Sequence, residues 1–302
     1  MDGTPSEAGC RPRPLRHRSR SGHRPLNILL EPFGFLFFRT GFAVALMVGA
    51  MCGALGVYIV LQGMSYIGHG LAHAVFGGAV VAFMARWNFY LGAGIWGVLS
   101  ALWINSLSRR PEIKADAAIG IITTASFALG VALISRARSY TPSVEAMLFG
   151  NILGVGRADL LVVAAVLVAS TVLLLVYYRP LLFHTFDSEV AHVQGVPTGR
   201  VSIVFAFLLA AVIISSMQVL GVTLISAVLI MPATIARMLT ISFGRMMVIS
   251  ILLGSLSAGL GIYASFYLDI ASGASIILLQ TTVFLGVLAW TSLRQRGLRV
   301  GS

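Results

Sequence analysis

Charge is scarce in this chain. Only 10% of its 302 residues are Asp, Glu, Lys or Arg, against 58% that are hydrophobic, whereas soluble domains carry about 25% charged residues. Cysteine is nearly absent: Cys10 and Cys52 form neither a disulfide framework nor a thiolate metal motif. No GxxxxGK[ST], HExxH or GxSxG pattern occurs, so the usual machinery of ATP hydrolysis, zinc proteolysis and nucleophilic hydrolysis is missing. Residues 1–26, rich in Arg, Pro, Ser and Gly, lack the apolar stretch of about 7–15 residues that marks a signal peptide. They cannot bury a core and are expected to be a disordered basic tail.

What is present is apolar length. Nine runs approach or reach the roughly 20 residues that span a bilayer: 40–61, 66–84, 89–107, 117–135, 158–178, 201–217, 219–235, 246–267 and 272–290. The expected fold is therefore all-α, a polytopic membrane bundle of about 8–9 transmembrane helices, with a membrane domain over 27–293 and a short basic tail over 294–302. The net charge of +11 does not indicate nucleic acid, because six of the 21 basic residues crowd the N-terminal tail and most others sit in loops. The tail can touch anionic lipid headgroups.

Loops 108–116, 179–200, the turn with Arg237 and Arg245, and the C-terminal tail hold ten basic residues, whereas the opposing loops hold four. By the positive-inside rule the former face the cytoplasm, and so does the C-terminus. Nine crossings then put the N-terminus outside, in conflict with its own arginines. A short apolar piece at 26–38 that enters without crossing, or a miscount of the pair 201–235, would remove the conflict.

Within the second run, His69 and His73 are four residues apart, on one face of a helix and one turn from each other. They read as the deepest ionisable pair, flanked by Gly68, Gly70, Ala72 and Ala74. Intramembrane ionisable groups mark functional sites, and imidazole is a common metal ligand. Zinc takes four ligands, so two copies of the chain around a central pathway would supply the set.

Three further features stand out. The loop 183–200 holds a short helix-like stretch, Asp187 to Val193, opened by a capping aspartate and closed near Gly195 and Pro197. His184 and His192 in it read as surface residues. Pro232 lies in the run 215–239, either as the break of a helix that lines a membrane pathway or as a proline tolerated in a structural span. Small residues at packing intervals, Gly49, Gly53 and Gly56 in one run and Gly254, Ser257 and Gly261 in another, indicate close helix contacts, with Gln218 and Gln280 as inward-facing polar links.

Six collinear segments carry a family resemblance: MSYIGHGLAHAVFGG, DAAIGIITTASFALGVALIS, MLFGNIL, FDSEVAHVQGVPTGR, QVLGVTLISAVLIMPATIARML and YLDIASGASIIL. Over residues 40–292 the chain resembles the membrane permease subunit of manganese/zinc/iron ABC importers, whose fold is that of a type II ABC importer permease. The resemblance implies a homodimer in the cell membrane that needs no cofactor. It takes a divalent metal as cargo from an extracytoplasmic binding protein and is driven by a separate ATPase subunit. It also makes Asp187, Ser188, Glu189, Val190, His192 and Gly195 part of the helix that docks on that ATPase.

Two positions depart from the family pattern. His73 matches the family's histidine, but His69 stands where an aspartate is usual, and Asn151 stands where an aspartate is common. Imidazole in place of carboxylate removes a hard oxygen donor, which lowers preference for manganese and favours zinc. An ATP-independent secondary metal carrier is the alternative. An intramembrane metalloenzyme would need more histidines or a neighbouring carboxylate.

Overall fold

The computed structural model describes residues 31–108, 110–137, 150 and 154–300. After a 3₁₀ turn at Glu31–Gly34, its helices are α1 (Leu36–Leu61), α2 (Ser65–Met84), α3 (Phe89–Leu107), α4 (Ala115–Ala137), α5 (Arg157–Val176), α6 (Tyr178–Phe186), α7 (Ser188–Val193), α8 (Thr198–Leu220), α9 (Ile225–Leu239), α10 (Phe243–Leu268) and α11 (Ser272–Val300). Among the described residues there is no strand. Eight of these helices are long and apolar enough to cross a membrane. Helical structure follows from the medium: a backbone in hydrocarbon must satisfy its own N–H and C=O groups, and a helix does so within one segment.

Polar caps appear where chain ends need them. The Asn88 side chain accepts hydrogen bonds from the amides of Tyr90 and Leu91 at the start of α3. At the start of α5, Asp159 accepts from the Gly156 amide at 2.9 Å and from the Tyr90 hydroxyl at 2.6 Å, which ties α3 to α5.

Small residues set the packing. Gly49 and Gly53 of α1 face the backbone of Gly254 and Ser250 in α10 so closely that a Cβ at either would meet a carbonyl oxygen. The descending order of the α10 partners makes these helices antiparallel. Ser250 Oγ donates to the Gly53 carbonyl at 2.7 Å. Gly56 abuts Leu229 and Arg237 donates to the Val60 carbonyl at 3.1 Å, so α9 runs parallel to α1. Gly261 meets Ile276, and buried Gln280 donates to Ser257 Oγ at 2.8 Å, joining α10 to α11. The expected packing role of these positions and of Gln280 is met; the side chain of Gln218 lies outside those described.

These contacts give the bundle two ends. Gln62, just past α1, donates to Thr185 of α6 at 3.1 Å, and the Tyr178 and Tyr58 rings lie 5.9 and 5.5 Å from Phe243 at the start of α10. The end of α1, the α6–α7 segment and the start of α10 therefore share one end. Phe38, near the start of α1, lies 5.4 Å from Phe266 at the other. The start of α1 is thus opposite the α6–α7 loop.

One sequence expectation needs correction, and the structure decides between the two readings of Pro232. The seventh apolar run is no full span: α9 has 15 residues, about 22 Å of helix against a hydrocarbon core of about 30 Å. The interruption lies upstream of Pro232, which sits inside α9, at the turn 221–224 where Gly221 adopts φ +76°. Leu220, Val222 and Ile225 on either side are fully buried, so protein rather than lipid surrounds the broken backbone, as hydrogen-bond satisfaction requires.

Candidate functional site

α2 and α4 run parallel, held together where Gly70 faces Ile119 and Thr123 and where Gly77 faces the Ser126 carbonyl. Beside this contact lies a cavity of about 480 Å³ whose lining includes Tyr66, His69, His73, Asp116, Thr123 and Phe127. The two imidazoles are neighbours, with ring centroids 4.4 Å apart at 82°, as the four-residue spacing demands. The His69 Nδ1 lies 3.4 Å from Ser226 Oγ at the start of α9, and the His73 ring rests edge-on against Phe127 at 5.2 Å. Among the described residues, His73 Nδ1 and Thr123 Oγ1 are enclosed without a hydrogen-bond partner. Enclosed polar atoms call for a partner, and a bound water or ion would serve as one.

Burial differs from the sequence expectation. His73 is half-buried but His69 is exposed, and both lie within the first nine residues of α2, toward the α6–α7 end. The glycines beside them do not leave open room, since Gly68 packs on Leu229 and Gly70 on Ile119 and Thr123. The open side is the outward one, where Tyr66 is 69% exposed. Sequence reasoning missed Asp116, Thr123, Thr124 and Ser226. The first three share one stripe of α4 at intervals of seven and eight, a helical period that the sequence displays. Ser226 is brought in by the broken-helix turn, which no local pattern announces.

Among the described residues, no group of three or more His, Cys, Asp or Glu side chains is close enough to hold an ion. One chain therefore presents two imidazoles, half of a four-ligand metal shell, with the Ser226 hydroxyl beside them and the Asp116 carboxylate in the lining of the same cavity. Asn151 lies outside the described residues.

The second predicted element forms as expected. Asp187 Oδ1 accepts from the Val190 amide at 2.9 Å, capping α7, and Gly195 takes φ +79° just beyond it. The side chains of Ser188 and Glu189 lie outside those described, while Val190 and His192 are exposed. Phe186 and Val193 stand 65% and 86% exposed on this loop, an apolar surface at the end of the bundle. His184 departs from expectation: it is half-buried, with Nε2 3.2 Å from Ser202 Oγ of α8.

Comparison with known proteins identifies the family. Residues 35–291 match the family model described as the ABC 3 transport family. The chain belongs to that family. Among curated relatives of this ABC 3 member, the manganese transport system membrane protein MntC of Halalkalibacterium halodurans is 38% identical over 250 residues, covering 83% of this chain and 86% of the relative. The chelated iron transport system membrane protein YfeC of Yersinia pestis is 35% identical over 260 residues, covering 86% and 88%. Among solved structures, PsaBC from Streptococcus pneumoniae in complex with Fab superposes with a TM-score of 0.79 at 32% identity, covering 87% of this chain and 95% of that one. A putative metal-chelate type ABC transporter in an inward-facing conformation shares the fold, with a TM-score of 0.69 at 17% identity, covering 90% and 91%. The resemblance drawn from the six segments is thereby confirmed at the level of the family, and the chain is a multi-pass permease of that family.

Proposed function

We propose that the chain is the membrane subunit of a metal importer that moves a divalent transition metal past His69 and His73, powered by a separate ATPase. The observation that carries this is the imidazole pair at 4.4 Å, facing a cavity in a helix bundle whose family transports. Two such chains, paired through the open α2–α4 face, would supply four imidazoles. An exposed histidine beside Tyr66 in an apolar medium is costly, and a second copy on that face would remove the cost.

The loop 183–200 supports the rest of the reading. α7, capped by Asp187, presents exposed Val190 and Val193 as a surface for the ATPase, and an extracytoplasmic metal-binding protein would deliver cargo at the opposite end. The α6–α7 end and the C-terminus would face the cytoplasm, as the arginine distribution favours. The metal is substrate, and no resident cofactor is proposed.

For cargo we propose zinc ahead of manganese and iron, because the adjacent pair in the site is two imidazoles and imidazole suits zinc better than it suits manganese. The names of the relatives, manganese and iron transport proteins, support manganese or iron as the second reading. Competition uptake among zinc, manganese and iron in cells making the whole importer separates them: zinc is expected to suppress the others. Suppression of zinc uptake by equimolar manganese would reverse the order. Zinc accumulation in vesicles holding this chain alone, without nucleotide, would instead support a secondary carrier.

A further inference from the structure

We propose a second transition-metal site at the α6–α7 end, formed by His184 and His192, through which metal on that side slows the transporter. Both imidazoles line one cavity of about 560 Å³, together with the polar side chains of Gln62, Asn105, Thr198 and Ser202. His184 belongs to α6 and His192 to α7, so the cavity joins two helices that meet at the Asp187 cap.

The arrangement repeats that of the first cavity. There a histidine nitrogen faces a serine hydroxyl at 3.4 Å, and here the distance is 3.2 Å. Ligands held about 2.0–2.1 Å from a tetrahedral ion lie about 3.3 Å from one another. Each His–Ser hydrogen bond thus has a length that one edge of such a shell could take over without moving either group far. The two cavities also share a wall, since Ile119 lines both and is itself 4% exposed. Ile119 therefore adjoins both the His69/His73 cavity and the His184/His192 cavity, and an ion released from the first would pass it to reach the second. This last step rests on the transport role proposed for His69 and His73; the metal site itself does not.

The donors fix the class of ligand. Among the described residues lining this cavity there is no carboxylate, and neutral nitrogen and oxygen donors favour zinc-like ions over magnesium or calcium. Two imidazoles and a hydroxyl make a weak site, as suits an ion that must also leave. An ion bridging His184 to His192 pins α6 to α7. Because the same two helices carry the exposed Phe186 and Val193, a pinned pair resists the movement that couples the bundle to its ATPase.

The test uses the tag-free complex with its ATPase in lipid nanodiscs and zinc alone as probe. In equilibrium dialysis, His69→Ala/His73→Ala is expected to retain zinc that is lost when His184→Gln/His192→Gln is added. Equal zinc content in the double and quadruple variants would overturn the proposal. His192→Gln alone, at an exposed position that places no demand on folding, is expected to weaken the retained zinc at least about tenfold; unchanged affinity counts against the site. In the otherwise intact complex, inhibition of ATP turnover by zinc added on the ATPase side, each variant normalised to its own zinc-free rate, should need at least about tenfold more zinc in His184→Gln/His192→Gln. An unchanged midpoint would refute the regulatory role. If His69→Ala/His73→Ala leaves uptake intact while the inner zinc persists, the transport-site proposal fails and the inner site stands.

Discussion

The α1–α10 seam and the histidine-bearing stretch of α2 are both built from closely spaced small residues, yet they serve opposite ends. In the seam, Gly49 and Gly53 press against main-chain atoms of Gly254 and Ser250, which cannot rotate away. Around the histidines, Gly68 and Gly70 press against the side chains of Leu229, Ile119 and Thr123, and the imidazoles of His69 and His73 line a cavity. Lipid supplies no hydrophobic drive for helix association, so the seam depends on backbone approach and interhelical hydrogen bonds. The α2–α4 face gives up such closeness on its outward side and leaves polar groups in reach of an ion. Glycine serves both, pressed on backbone in the seam and at Gly77 against the Ser126 carbonyl, and on side chains at Gly68 and Gly70 beside the histidines.

Substitutions in the two regions should therefore separate stability from transport. The largest effect is expected from Gly53→Val, whose branched side chain would collide with the α10 backbone and cost roughly 3 kcal/mol or more. Size-exclusion of detergent extracts should show aggregated or absent protein, and a normal monodisperse peak would break the contrast. Next comes His69→Ala/His73→Ala, expected to reduce metal uptake at least about 100-fold while shifting stability by only about 0.5 kcal/mol. Thermal denaturation measured beside uptake checks both halves. A smaller change, about tenfold in the manganese-to-zinc uptake ratio, is expected for His69→Asp, which restores a hard oxygen donor. Last, Ser250→Ala removes the 2.7 Å bond to Gly53 at a cost of about 1 kcal/mol. Gly120→Ala, where no atom lies within 4 Å of the added Cβ, should leave stability unchanged in the same denaturation assay.

Much of this was legible in the sequence for identifiable reasons. Apolar length announced eight of the helices, because a lipid environment leaves the backbone no other choice. Glycine spacing announced the seam, and Asp187 announced α7 through the need of a helix start for an acceptor. The imidazole pair was legible because a spacing of four is a turn of helix. What stayed hidden depends on contacts between distant segments. Of the two readings that Pro232 allows, the tolerated proline is the one the helix Ile225–Leu239 shows, and the break before it is made by Gly221, which no local pattern marks. Ser226, Asp116 and Thr123 join His69 and His73 only because α2, α4 and α9 converge. The polar loop around His184 points to a surface residue, and the packing of α6 against α8 half-buries it instead.

The most direct measurement is nucleotide-dependent zinc uptake into proteoliposomes holding this chain with its ATPase and binding protein, compared between the native chain and His69→Ala/His73→Ala. Uptake through an imidazole-lined pathway requires the native complex to accumulate zinc with ATP and the variant, equally folded and equally able to bind its ATPase, to accumulate none above the nucleotide-free level. Full ATP-driven zinc uptake by the variant would contradict it.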